Sequence, residues 1–216
     1  MDETTRTRER KKARRLPPEV LTDDEVQLLL RACSRRAPTG LRNRALITVL
    51  YRAGLRISEA LALKPKDLNL ADGSILVLHG KGDRSRTVGI DPGATAIIER
   101  WLDVRTQLGV RGHQPVFCTL SGSSVASAYI RVMLKRLGVR AGIEKRVHAH
   151  GLRHTHAAEL RAEGVDIGII SRQLGHASIA TTARYLDHIA PHAVINAMKQ
   201  RTWEPDTTVD RAAHRS

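Results

Sequence analysis

The hydrophobic period of this chain changes between residues 67 and 90, and no other feature constrains the fold as much. Before and after that stretch, apolar residues recur at helical spacing. Within it, Ile75, Val77 and Val88 favour strands, while Ala71-Asp-Gly73 and Gly80-Lys-Gly-Asp83 carry hairpin-turn chemistry. The stretch therefore predicts a meander of three strands, over 67–70, 74–79 and 86–90. On its N-terminal side, Thr22-Asp-Asp-Glu25 is a capping box that opens a first helix. A second helix is expected over about 40–53, with Leu46, Ile47, Val49 and Leu50 on its apolar side and Gly54 as its stop. A third begins near Ser58 and is blocked by Pro65. On the C-terminal side, Asp91-Pro92 pairs an N-cap with proline at the first helical position, opening a helix to about Gln107. Residues 115–118 read as extended. Further helices are expected at about 123–140, 151–163, 167–174, 178–187 and 191–200, with Gly164 and Gly175 as stops. The fold class is α+β: a mostly helical domain with one small three-stranded antiparallel sheet.

The 216 residues suit one domain with tails. Residues 1–16 read as a disordered basic arm, 17–190 as the folded domain, and 191–216 as a further helix and tail. In that last segment Val194, Ile195 and Met198 form an apolar stripe at helical spacing. Lys and Arg number 36 against 22 acids, a formal charge of +14. A field of that sign attracts polyanions, with duplex nucleic acid the commonest partner; solubility alone or a ribosomal assembly are the competing readings. Aromatic residues make up 3%, too few for a platform that stacks single-stranded bases, so a duplex backbone fits better. The two cysteines, Cys33 and Cys118, form no CxxC pair, which favours a reducing cytosol over a disulfide framework. The opening residues have no apolar stretch to read as a secretory signal, and no apolar run reaches the length of a membrane span.

Taken singly, the chemically capable residues have ordinary explanations. Arg56 could pair with Glu59 on a helix surface. Lys81 could be a solvated hairpin tip, and His150 and Arg153 a polar helix start. His176 could cap a helix, and Tyr185 could anchor a terminal helix to the core. Their order is harder to dismiss. Thr48-Val-Leu-Tyr-Arg-Ala-Gly-Leu-Arg-Ile-Ser-Glu59 is followed by Gly80-Lys-Gly82 and then His150-Gly-Leu-Arg-His154. Leu174-Gly-His-Ala-Ser-Ile-Ala-Thr-Thr-Ala-Arg-Tyr185 completes the set. Over about 20–200 this resembles the catalytic domain of the tyrosine recombinases, the phage integrase class.

That resemblance implies a site-specific recombinase that cleaves and rejoins double-stranded DNA through a 3′-phosphotyrosine. Tyr185 would be the nucleophile, with Arg56 and Arg153 clamping the non-bridging phosphate oxygens. Lys81 would protonate the departing 5′-oxygen, His150 would serve acid–base transfer, and His176 would hydrogen-bond a phosphate oxygen. Glu59 and His154 would be supporting residues. No cofactor or metal is implied. Relatives assemble as tetramers on paired sites, exchanging a C-terminal helix, the alternative here being that the 191–200 stripe folds back onto its own domain; free protein is expected to be a monomer. A type IB topoisomerase shares this chemistry, and a silent DNA-binding regulator is a third reading.

Five histidines (His148, His150, His154, His156 and His176) invite a zinc reading. However, His150 and His154 lack the glutamate of an HExxH motif, and no cysteine or carboxylate sits at ligand spacing. His154 and His156 are expected to pack or cap. Tyr51 and Tyr129, both in apolar helical runs, are expected in the core or a groove, and Arg184 is divided between a phosphate contact and solvent. Most relatives carry a DNA-binding domain ahead of the catalytic one, for which there is no room before residue 22. Either a compact relative or a fragment is the expectation.

Overall fold

A computed structural model describes residues 20–78, 85–176, 178–189, 198–199 and 201. Helix α1 (Asp23–Arg31) starts at the capping box: the Thr22 hydroxyl accepts from the Glu25 amide at 3.2 Å, and the Glu25 carboxylate accepts from the Thr22 amide at 2.7 Å. Helix α2 (Pro38–Arg52) is the central rod, buried along most of its length and packed against α4 (Pro92–Gln107) and α6 (Ala149–Ala162). It starts two residues ahead of expectation because Pro38 supplies the helical φ of a first turn. Asp91 caps α4 through the Ala94 amide at 3.0 Å, and Arg52 at the end of α2 grips its other oxygen at 2.7 Å.

Helix α3 (Ile57–Ala62) is followed by a single 3-10 turn, Pro65–Asp67. The Asp67 carboxylate accepts from the Lys64 amide at 2.8 Å, which holds Asp67 out of the first strand. The sheet is therefore shorter than its sequence pattern: β1 (Leu68–Asn69), β2 (Ser74–Val77) and β3 (Arg86–Gly89), antiparallel in that order. Ile75 pairs with Val88 and Val77 with Arg86, so Ile75, Val77 and Val88 all face the core. The tip holding Gly80-Lys-Gly82 lies outside the described residues, as do the expected basic arm and most of the 191–200 helix.

Helix α5 (Ser127–Arg140) begins four residues later than its periodicity suggested. Residues 119–124 instead close a tight turn, with Thr119 and Ser123 bonded at 2.8 Å and Gly122 at a φ of +86°. The stretch at 115–118 is tied to the end of α3 by the Val116 amide on the Leu63 carbonyl at 2.7 Å. Helices α7 (Ile167–Leu174) and α8 (Ile179–Ile189) pack on α6 around Ala157, Ile170, Leu174 and Leu186. A larger core, centred on α2, includes Trp101, whose indole donates to the Val116 carbonyl at 2.8 Å. The α+β class is thus the observed one, and none of the described helices is long and apolar enough to cross a membrane.

Arg105 on α4 is buried without a carboxylate partner among the described residues, yet its guanidinium donates to the carbonyls of Val110, Arg111, Gln114 and Pro115 at 2.7–3.3 Å. It shapes the α4–α5 connection from within. Arg105→Ala strands four acceptors at once and should cost roughly 3–5 kcal/mol. Urea unfolding checks this, with the midpoint expected to fall while the slope stays unchanged.

Candidate active site

The candidate site is built where four separated stretches end near one another. Gly54, at a φ of +62°, turns the chain out of α2 and leaves no room for a side chain: a Cβ there would lie 2.6 Å from the His156 ring. Two residues on, Arg56 is the non-helical N-cap of α3, and Glu59 lies in the first turn. The Glu59 carboxylate is 4% exposed. It accepts from the Arg56 amide and from Arg56 Nη1, each at 2.8 Å. Arg86, the first residue of β3, closes on it with both terminal nitrogens at 2.9 Å. Burial would raise the Glu59 pKa, but the Arg86 fork, the Arg56 amide and both charges hold the carboxyl at about 2.

Helix α7 supplies the next stretch. The Gln173 side chain donates to the Gly89 carbonyl at 2.8 Å and accepts from the Gly89 amide at 3.0 Å, fastening α7 to the edge of β3. The Gln173 carbonyl accepts from Arg86 Nε at 3.3 Å. Gly175 then ends α7 at a φ of +63°, and a Cβ there would sit 2.7 Å from Arg86 Nε. This turn delivers His176, whose Nδ1 meets the buried Thr182 hydroxyl of α8 at 2.7 Å.

Helix α6 contributes the fourth stretch. His150, Arg153 and His154 stand at i, i+3 and i+4, so they share one face. The His150 and His154 rings meet edge to face at 4.2 Å between centroids. Arg153 is 2% exposed, and its Nη1 and Nη2 donate to the carbonyls of Gly54 and Leu174, each at 2.5 Å. One guanidinium therefore joins the turn before Arg56 to the turn before His176.

The electrostatics follow from this crowding of cations. Desolvation and the charges of Arg153, Arg56, Arg86 and His150 push His176 down to about 4. Desolvation, then Arg153, His148 and Arg56, also lower His150. Both rings are neutral at pH 7 within a positive field, a setting that suits an anion.

The structure thus brings together Arg56, Glu59, His150, Arg153, His154 and His176. Lys81 lies outside the described residues, and Tyr185 is placed only through the backbone of α8, three residues after Thr182. The side chain of Arg184 is likewise outside the described atoms. Tyr51 is buried as expected and donates to Glu159 at 2.7 Å; burial and Glu159 raise its pKa well above the usual phenol range. Tyr129 does not lie in the core, one of its two expected places. It is 48% exposed, with Arg42 over its ring and bonded to its hydroxyl at 3.3 Å. His154 and His156 are both buried, as read from the sequence. Among the described residues, no three His, Cys, Asp or Glu side chains gather as metal ligands.

Sequence reasoning passed over Arg86, Gln173 and Thr182. Arg86 did leave a signal: it stands two residues before Val88, on the buried face of a strand, where a charge demands a partner.

A family model described as "Phage integrase family" matches residues 19–192. The chain belongs to this family. Among curated relatives, tyrosine recombinase XerC of Xanthomonas axonopodis pv. citri is 38% identical over 174 residues, covering 81% of this chain and 55% of the relative. Tyrosine recombinase XerD of Ralstonia nicotianae is 37% identical, covering 80% and 56%. The chain spans about half the length of these curated relatives. Among solved structures, XerA recombinase superposes with a TM-score of 0.75 at 32% identity, covering 86% of this chain and 66% of that one. XerH recombinase bound to palindromic difH in a post-cleavage complex gives 0.68 at 31%, covering 82% and 51%. The catalytic domain of bacteriophage HP1 integrase gives 0.56 at 25%, and there the match takes in 94% of that domain. The family and fold suggested by the motifs are the ones found.

Acid should unfold this region by a definite route. His154, His156 and His176 all have pKa values near 4 in the folded chain against an ordinary 6.5. Their neutral forms support the fold fully above 6.5, and that support is lost as pH falls toward 4. For His156, whose ring nitrogens meet no hydrogen-bond partner among the described residues, the loss is on the order of 3 kcal/mol at about 1.4 kcal/mol per unit. His156→Leu should therefore flatten the fall of urea midpoint with pH across that window. An unchanged slope would place the acid sensitivity elsewhere.

Proposed function

We propose that this chain carries the catalytic part of a site-specific DNA recombinase, cleaving and rejoining duplex strands through a 3′-phosphotyrosine at Tyr185. The observation that carries the reading is the convergence of Arg56, Arg153, His150 and His176 from three separate stretches within one positive field. A phosphodiester under attack develops charge on its non-bridging oxygens, and fixed guanidinium groups stabilise that charge without reorganising. Arg56 supplies one arm of the clamp. Arg153 is assigned the other; each of its terminal nitrogens carries two N–H bonds, of which a backbone carbonyl takes one. Neutral His150 can accept a proton as the Tyr185 phenol attacks phosphorus, and His176, steadied by Thr182, can hydrogen-bond a phosphate oxygen. Lys81 is assigned the proton for the 5′-oxygen that leaves. Glu59 and His154 keep supporting roles through their contacts with Arg56 and His150. The covalent link preserves bond energy for religation, and no metal or cofactor enters these steps.

The formal charge of +14 supports duplex DNA as substrate. The same reading has four protomers on paired sites, a monomer when free, and residues 191–216 passing between protomers. It sets the reaction in the cytoplasm, which the free, buried Cys33 and Cys118 support.

A random duplex library, followed by sequencing of the DNA that becomes covalently attached, should yield one enriched site. On a nicked suicide version of that site, wild-type protein should leave an SDS-resistant adduct whose peptide contains Tyr185. Tyr185→Phe should bind DNA but form no adduct, and Arg56→Lys should cleave more slowly by roughly 100-fold or more. An adduct that persists in Tyr185→Phe, or maps to Tyr51 or Tyr129, would overturn the assignment. Relaxation of supercoils on arbitrary DNA, without exchange between paired sites, would point to a topoisomerase instead.

A further inference from the structure

Glu59 poses a problem for the arrangement just described. A carboxylate bonded to Arg56 at 2.8 Å cancels much of the charge that a phosphate clamp needs. The burial of Glu59 sharpens the conflict, since little solvent is present to screen the pair. Arg86 resolves it. Its two terminal nitrogens cover both Glu59 oxygens at 2.9 Å, whereas the Arg56 side chain reaches only one of them. Two guanidinium groups against one carboxylate leave one positive charge over, and Arg56 is the more exposed bearer of it, at 30% against 13% for Arg86.

We propose that Arg86 is a positioning residue which neutralises Glu59, so that Glu59 can orient Arg56 without cancelling the charge Arg56 offers to the scissile phosphate. The idea rests on the recombinase reading above and deepens it. Arg86 is well placed to act through Glu59 rather than on substrate. Its Nε is turned to the Gln173 carbonyl, its fork is spent on the carboxylate, and the Gly175 backbone passes against its guanidinium. In its absence the carboxylate would be left to Arg56 alone, free to draw that side chain into a two-oxygen grip. The clamp would then lose both its net charge and its aim.

A charge-offset role differs from a merely structural one in a measurable way. The readout is single-turnover cleavage of the suicide substrate, with thermal melting recorded for every variant. Arg86→Gln should slow cleavage by roughly 100-fold, the scale of removing one charge-stabilising donor. Arg86→Lys, which keeps the charge, should recover much of the rate. The decisive pair is Glu59→Gln against Glu59→Gln/Arg86→Gln. With the carboxylate charge gone, Arg86 has nothing to offset, so the two should cleave within about threefold of each other, and this comparison stands even if Arg86→Gln alone fails to fold. A methylphosphonate at the scissile position gives a second arm. It removes the anionic oxygen that Arg56 serves, so the gap between Arg86→Gln and wild type should shrink on that substrate. A further tenfold loss in the double variant, or a gap unchanged on methylphosphonate, would show that Arg86 only holds the fold together and would overturn the proposal. If instead the wild-type chain forms no Tyr185 adduct at all, it is the recombinase reading that fails.

Discussion

Arg153 sits almost wholly inside the protein, and its two terminal nitrogens hold the carbonyls of Gly54 and Leu174. A buried guanidinium is tolerable only when its donors find acceptors, and among the described residues two of these are backbone carbonyls at chain turns. That requirement fixes α6 relative to both turns. Arg56 follows the first turn by two residues and His176 follows the second by two, so their separation is set by the reach of a single planar group. Gly54 and Gly175 adopt left-handed conformations at the same places, and a Cβ at either would strike the His156 ring or the Arg86 guanidinium. The candidate site is thus held by main chain and by charge as well as by the apolar cluster of Ala157, Ile170, Leu174 and Leu186 beneath it.

The second charge system has a different logic. Glu59, Arg56 and Arg86 share a buried carboxylate, and Gln173 fastens the strand carrying Arg86 to the helix that ends at Gly175. Arg153 ties α6 to these turns, and the Glu59 system ties β3 to α3 and α7. Together they raise a positive field in which His150 and His176 stay neutral. Neutral rings beside fixed cations can move protons without giving up the charge that attracts an anion.

Much of the local structure was legible because its causes are local. The Thr22 capping box, the Asp91-Pro92 helix start and the glycine stops at 164 and 175 each depend on a few neighbouring residues. The spacing of His150, Arg153 and His154 likewise followed from helical geometry. Legibility ended where side-chain bonds that carry no hydrophobic period, or partners distant in sequence, decided the outcome. Asp67 left its strand to bond the Lys64 amide, and the 119–124 turn delayed α5 by bonds between side chains and backbone that periodicity does not register. Tyr129 lies in an apolar run, but its polar partner Arg42 is 87 residues away and could not be read from its neighbours. Arg86 was overlooked because its meaning depends on Glu59, 27 residues away, and on Gln173, 87 residues away.

The span of these ties bears on how the protein is made. Arg153 joins positions 99 residues apart, and Arg86 joins positions 87 apart. Such contacts cost more chain entropy to close than local ones, because distant segments must meet before either gains anything from the meeting. While the chain is being synthesised, α2, α3 and the sheet precede α6 and α7 by tens of residues. Arg56 and Glu59 can therefore find each other early, but the carbonyls of Gly54 and Leu174 cannot share a guanidinium until α7 is present. The same long spans that hid Arg86 from a local reading also keep an unfinished chain from completing this framework.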